Sequence, residues 1–376
     1  MKDTLLKIRA GQENEDRGPL YVEPVISALH SLSGSDKNVN FEIGMSDSKI
    51  AFFVRSTLRA AKLAESQLYA QYPDIEINYL EEDPFIAKED EEVFSVDLVL
   101  TDPEIFPIKR HPQFDDMLTR VNMDPIAGIT STLARYDVPD MRGHVQVSIR
   151  PIEGSFRRRS LRFLPLLDKG FSSMSTTYAK FFTRMQLARG WRRIAYLPVA
   201  ILMGGFRAWP GFGKLVSTMF AGGSGVSYSD PDVEEIERAS ARTHDREDSS
   251  SGAQDKVNRL LFVCNVRLSV IAAKGQREAM SHKLDEIIGS FRQFALPQSN
   301  SLDPLTPKIY DQIPFGIQRY PQLFSVEEIA TIWHLPTILV QTPNIDWVLS
   351  RKLEPPSNLP IYDVKNPSED LTEIGE

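Results

Sequence analysis

The chain has 376 residues, of which 41% are hydrophobic and 25% charged, with a formal net charge of -8. A single hydrophobic core stops growing at roughly 250-300 residues, so this length predicts two or three domains, and the composition excludes a disordered or fibrous chain. One cysteine, Cys264, excludes an internal disulfide framework and a cysteine-based zinc cluster, and it fits a reducing compartment.

Met1 to Lys7 carries neither the apolar stretch nor the small-residue cleavage site of an export signal, which predicts a cytoplasmic protein. Apolar alternation at Leu6 and Ile8 predicts a short strand. Val22, Val25, Ile26, Leu29 and Leu32 then fall on one face of a helix that Gly34-Ser35-Asp36 would end. Val39 to Gly44 and Ile50 to Val54 read as strands, and the small polar residues of Met45-Ser46-Asp47-Ser48 suit a hairpin turn between them. Thr57 stands at the N-cap of a helix carrying Leu58, Ala61, Leu63, Ala64, Leu68 and Tyr72. Pro73-Asp74 stops that helix ahead of a strand from Ile75 to Leu80. The order βαββαβ is that of a ferredoxin-like split βαβ module, placed at residues 1-90.

Glu81 to Glu92 is acidic with Lys88 as its one base, the composition of a solvated connector. A second pattern follows: a strand from Phe94 to Leu100, a short strand at Phe106-Pro107-Ile108, a helix from Pro125 to Tyr136, and a strand from His144 to Arg150. It resumes at Val257, where Leu260, Phe262, Cys264, Val266, Leu268 and Val270 alternate before a helix with Ala279, Leu284, Ile287, Ile288 and Phe291. The expected fold class is therefore α+β with two ferredoxin-like βαββαβ modules, at 1-90 and at 91-155 with 256-320. A helical and disordered insertion interrupts the second. Its part at 223-255, rich in Gly, Ser, Asp, Glu and Arg, reads as a disordered linker. A short helix and a proline-rich tail occupy 321-376.

The other part of the insertion, 156-222, sets twelve bases against one acid, Asp168, and interleaves them with Phe163, Phe171, Trp191, Tyr196 and Trp209. Cations mixed with interfacial aromatics suit a surface of anionic headgroups. The longest uncharged apolar run, Ile194 to Phe206, contains Pro198 and falls short of the ~20 residues a spanning helix needs, so an in-plane or re-entrant segment at the inner membrane surface is expected. Arg157, Arg158, Arg159, Trp191, Arg192 and Arg193 are the candidates for that contact. The alternatives are helices that pack on the protein or a partner, and a nucleic-acid surface that binds phosphates and stacks bases.

No catalytic pattern accompanies these features. Gly213-Lys214 is the nearest approach to a phosphate-cradling loop, but Ala208 takes the first glycine's place and Leu215 follows the lysine. His30, His111, His144, His244, His282 and His334 are dispersed, with no pair at helical spacing, so no metal site is expected. Cys264 in an apolar strand reads as a buried thiol. Neither a catalytic residue nor a cofactor is expected, and the chain reads as a non-enzyme.

Near the end, Ser325 and Glu328 form a capping box for a short helix that Pro336 closes, with Ile329, Ile332 and Trp333 along one face. The run Val326 to Pro336, the run Gly289 to Phe294 with Asn300-Ser301-Leu302, and the run Gln67 to Pro73 together resemble an uncharacterised bacterial domain. In that family the domain stands upstream of the P-loop ATPase part of proteins similar to type IV secretion and conjugative DNA-transfer ATPases. The resemblance implies a non-catalytic scaffold or adaptor that docks to a P-loop ATPase in trans and to the inner membrane surface. No nucleotide-binding segment follows the proline-rich stretch before Gly375-Glu376, so neither an ATP site nor a catalytic residue is carried over. Ile329, Ile332, Trp333 and His334 are the candidate docking residues, with filling of a core as the alternative for Trp333. A second reading is a single-stranded nucleic-acid-binding protein with aromatics on open sheet faces; the acids and few aromatics of Ile75 to Leu80 and Phe94 to Leu100 count against it.

Overall fold

The computed structural model describes residues 3-348 apart from 12-13, 15-16, 47, 115-122, 137, 153-250, 298 and 318-319. Among these residues the protein is α+β, with six helices and one sheet of 11 strands. The first half is built from β1 (Thr4–Gly11), α1 (Pro19–Leu29), β2 (Val39–Ser46), β3 (Lys49–Ser56), α2 (Leu58–Gln71) and β4 (Glu76–Leu80). Its strands run in the order β4-β1-β3-β2, every pairing antiparallel. The second half comprises β5 (Glu91–Leu100), α3 (Ile126–Leu133), β6 (Arg142–Pro151), α4 (residues 251-258), β7 (Leu261–Ala273), α5 (Arg277–Phe291) and β8 (Leu302–Pro304). It repeats the order as β8-β5-β7-β6, again antiparallel. The halves join edge to edge through β2 and β6, with Glu42 opposite Gln146. Three short strands extend the sheet: β9 (Lys308–Tyr310) beside β5, β10 (Gln322–Ser325) beside β7, and β11 (Trp347–Val348) parallel to β1.

Local chemistry starts these elements where the sequence places them. Thr57 Oγ1 accepts from the Ala60 amide and caps α2. Ser325 and Glu328 cap each other's backbone at the start of α6 (Val326–Ile332). Alternate residues of the central strands, among them Phe41, Ile43, Phe52, Val54, Val145, Val147, Val266 and Leu268, meet Val22, Ile26, Leu68, Ile129 and Leu284 from the helices in one core spanning both halves. A smaller core lies on the opposite face, where Phe53, Val93 and Ile271 meet Phe85 and Ile313 from loops. With both faces covered, β3 is apolar almost continuously through Ala51-Phe52-Phe53-Val54. Each buried phenylalanine contributes about 1.5-3 kcal/mol over leaving it exposed.

Several expectations need correction. The acidic stretch from Glu81 to Glu92 is not a solvated spacer: Phe85 and Ala87 are buried in the smaller core and Asp83 accepts from Arg55. No strand forms at Phe106-Pro107-Ile108, because the Ile108 amide is taken by the Glu328 carboxylate. The expected linker does not reach residue 255, since α4 begins by 251 and buries Ala253, Lys256 and Val257. The rest of that linker and the basic stretch, 153-250, lie outside the described residues, as does the tail from 349. The helix expected at the head of that tail is core: the Trp333 ring following α6 lies 4.5 Å from the Phe41 ring, and its Nε1 donates to the Glu42 carbonyl. Among the described residues no helix is long and apolar enough to cross a membrane.

Candidate functional site

Of the residues singled out from the sequence, Arg157, Arg158, Arg159, Trp191, Arg192 and Arg193 lie outside the described residues. Ile329, Ile332, Trp333 and His334 are each fully buried. Buried side chains offer a partner no surface, so these four belong to the core of the folded chain. His334 Nδ1 faces the Ala330 carbonyl at 2.9 Å and Nε2 faces Asp124 at 2.7 Å. Asp124 also accepts from the Thr337 amide and hydroxyl and from the Ile126 amide. Burial pushes the Asp124 carboxyl up, but His334 and Thr337 outweigh it and hold it below the usual carboxylate range.

Three further polar clusters have no signal in the linear order. At the join between the halves, the fully buried Glu42 accepts from Arg55 Nε at 2.9 Å, Arg55 Nη2 at 3.2 Å and Gln146 at 3.2 Å, and His144 Nε2 lies 3.2 Å away. Burial again raises this carboxyl, and Arg55 and His144 more than offset it. Phe315 lies under the Arg55 guanidinium, 3.9 Å from ring centre to Cζ. Such a network fixes how β2, β3 and β6 meet.

On the helical side, ligand-type atoms of Glu23, His111 and Glu327 lie within 4.8 Å of one another. His111 Nε2 is 2.8 Å from Glu23, and Glu327 is bound by Arg110 at 2.8 Å and by Arg259 at 3.2 Å. Two guanidinium groups already balance these carboxylates, so a divalent cation would have to displace them. The cluster ties α1, α6 and the segment after α4 together as an ion-pair network.

The third cluster lines a cavity of about 500 Å³ on the sheet face opposite the helices, a volume within the range of small-molecule sites. Asp97 on β5 and Arg267 on β7 are register partners, and both reach its wall with Ser95, Lys308, Tyr310 and Tyr320. Arg267 donates through Nε to Asp97 at 2.8 Å and through Nη2 to Asp97 and Asn265 at 3.2 Å each. Its Nη1 is buried without a hydrogen-bond partner. Burial lowers the pKa of this guanidinium, and Asp97 only partly restores it. The signal for this face is the polar half of the alternation that placed β7: Asn265, Arg267 and Ser269 between Val266, Leu268 and Val270. Cys264, on the helical side of the same strand, is a fully buried thiol whose pKa burial pushes up.

Residues 21-348 match a family described as a domain of unknown function (DUF8128), and the chain belongs to that family. None of the curated proteins matches it.

Proposed function

We propose that this member of the family is a non-catalytic assembly module, a rigid double sheet that presents the segment carried between β6 and β7. The observation behind this reading is the construction of that hairpin. Its register runs unbroken from Arg142 opposite Ile271 to Pro151 opposite Phe262, and the chain leaves the sheet only past Pro151. A hairpin held by so many pairs tolerates a long excursion at its tip, because loop-closure entropy grows only slowly with length. The orders β4-β1-β3-β2 and β8-β5-β7-β6, each with helices after its first and third strands, support reading both halves as ferredoxin-like modules.

A scaffold role is further supported by what the buried ionisable groups do. Glu42 with Arg55, Lys256 with Glu328, and Asp124 with His334 neutralise one another inside the fold. The resemblance of the runs Gln67 to Pro73, Gly289 to Phe294 and Val326 to Pro336 is what supports reading the apparatus as a type IV secretion or conjugation-like machine. The partner is then a P-loop ATPase in trans, and the inner membrane surface is met by Arg157, Arg158, Arg159, Trp191, Arg192 and Arg193. With Ile329, Ile332, Trp333 and His334 buried, docking to the ATPase falls to exposed side chains.

The test is affinity purification of the full chain and of a version lacking residues 156-248, from membrane and soluble fractions separately. A P-loop ATPase recovered with both versions, with membrane association lost on deletion, is the expected result. A soluble, partnerless protein that carries nucleic acid would overturn it in favour of single-stranded nucleic-acid binding.

A further inference from the structure

We infer that His334 and Asp124 form a proton-gated clamp: the imidazole holds a proton on each nitrogen while α3, α6 and the 334-340 segment are locked together, and loss of one proton unlocks that junction. This goes beyond the assembly reading and does not rest on it.

The first argument is the inventory of donors and acceptors. His334 is fully buried, with Nδ1 2.9 Å from the Ala330 carbonyl and Nε2 2.7 Å from Asp124 Oδ1. A carbonyl only accepts, and so does an ionised carboxylate. Asp124 is held in that form by three further donors: the Ile126 amide at 3.0 Å on Oδ1, and the Thr337 amide at 3.0 Å and hydroxyl at 2.7 Å on Oδ2. A neutral imidazole has one N–H and one lone pair, so either tautomer would set a lone pair against an oxygen. The imidazolium satisfies both contacts. His144 is the contrast within the same chain. Its Nε2 lies 3.2 Å from Glu42, and among the described residues its Nδ1 meets no hydrogen-bond partner, so a single N–H satisfies it.

The second argument is where the two charges stand. Ala330 lies in the last turn of α6, whose carbonyls have no intrahelical partner, and the His334 ring takes up this one. Asp124 stands before α3 and takes up the amide of its first residue. A cation at a helix C-terminus and an anion at an N-terminus each meet the favourable end of the helix dipole. Deprotonation removes the cation from beside a carboxylate whose side chain is 2% exposed, and breaking such a buried pair is strongly destabilising. The effect passes along the chain. Beyond Thr337, the Ile338 amide donates to the Asn14 carbonyl, and Asn14 Nδ2 donates to the Pro336 carbonyl.

The other ionisable groups around the clamp are occupied. Burial and Asp124 push the Tyr72 phenol well above its ordinary range, and it donates to the Gly18 carbonyl. Arg17 donates to the Gln71 carbonyl and lies over the Tyr21 ring. On α6, Glu327 pairs with Arg110 and Glu328 with Lys256, and α3 carries no ionisable side chain.

Nuclear magnetic resonance of the full chain with 15N-labelled histidine tests the inference at pH 8, where a solvated imidazole, titrating near ~6.5, is neutral. One ring keeping both N–H protons is expected, its signals lost in His334→Gln, while His144 shows one. Hydrogen exchange of residues 334-340, corrected for the intrinsic rate, should quicken about tenfold per pH unit above neutrality, the slope for one proton released on opening. That slope should vanish in His334→Gln. If this variant fails to fold, the native chain's exchange decides alone: a slope confined to 334-340 and the start of α3 upholds the clamp. A single N–H on every ring at pH 8, or protection of 334-340 that is flat with pH or changes with the whole fold, would overturn it.

Discussion

The two halves of the sheet share an order of strands and differ in how their middle hairpins close. Between β2 and β3 the last register pair is Ser46 with Lys49, and Ser48 turns the chain at φ 61. Between β6 and β7 the last pair is Pro151 with Phe262, and more than a hundred residues intervene. Pairing in the second half is nevertheless complete along the hairpin. Register therefore comes from the alternation of the strands against the core, and the turn merely accepts it. The halves differ again on the face away from the helices. The first closes that face with Phe53 and Phe85 around the mutually saturated Glu42 and Arg55, whereas the second leaves a cavity and one spare guanidinium nitrogen.

The sharpest way to break this contrast is to remove the arginine from each half. Arg55→Ala strands a fully buried Glu42 and is expected to cost about 3-5 kcal/mol in urea unfolding. Arg267→Ala leaves Asp97, whose side chain is 17% exposed against 0% for Glu42, and should cost only about 1-3 kcal/mol. Equal losses would show that the two faces are not energetically distinct. Trp333→Ala is expected to cost about 3-5 kcal/mol, because its ring fills the seam against Phe41 and Phe52. A loss near zero would return α6 to the role of a docking element.

Acid probes one carboxylate from each half. Glu42 and Asp124 both titrate below their ordinary values in the folded chain, so the unfolded chain takes up their protons first. Their stabilisation is then present at neutral pH and fades as pH falls from about 4 through the folded values. The urea midpoint of the native chain should fall over that interval. Glu42→Gln and Asp124→Asn should each lower it at pH 7 and flatten its descent. An unchanged slope in both variants would discard the electrostatic account.

Smaller effects concern the hairpins themselves. Replacing residues 156-248 by a short glycine-serine joint should preserve cooperative unfolding and leave stability unchanged or raised by about 1-2 kcal/mol, the loop-closure entropy recovered. Loss of cooperativity would mean that the second hairpin depends on what it carries. In the first hairpin, Ser48→Gly should add about 0.5-1 kcal/mol by removing a Cβ from a left-handed position. Thermal unfolding resolves a gain of that size, and no gain would indicate that the serine's conformation is not strained.

The amino-acid sequence by itself determined the order of the elements from β1 to β4, the α+β class, the Thr57 cap and the capping box of α6, because each depends on residues within a few positions of one another. It also contained runs whose role is structural. Tyr72 donates to the Gly18 carbonyl, Phe291 and Phe294 fill the core, and Asn300 ties down the carbonyls of Asp102, Pro103 and Phe106. Only the tertiary structure decided that α6 lies inside rather than at the end of a tail, that Phe85 closes a second core, and that Asp97 and Arg267 share a cavity wall. Periodicity reports which side of an element is apolar or polar. What covers that side is set by partners as distant as the 170 residues between Asp97 and Arg267 or the 291 between Glu42 and Trp333, and by desolvation that exists only once they have met.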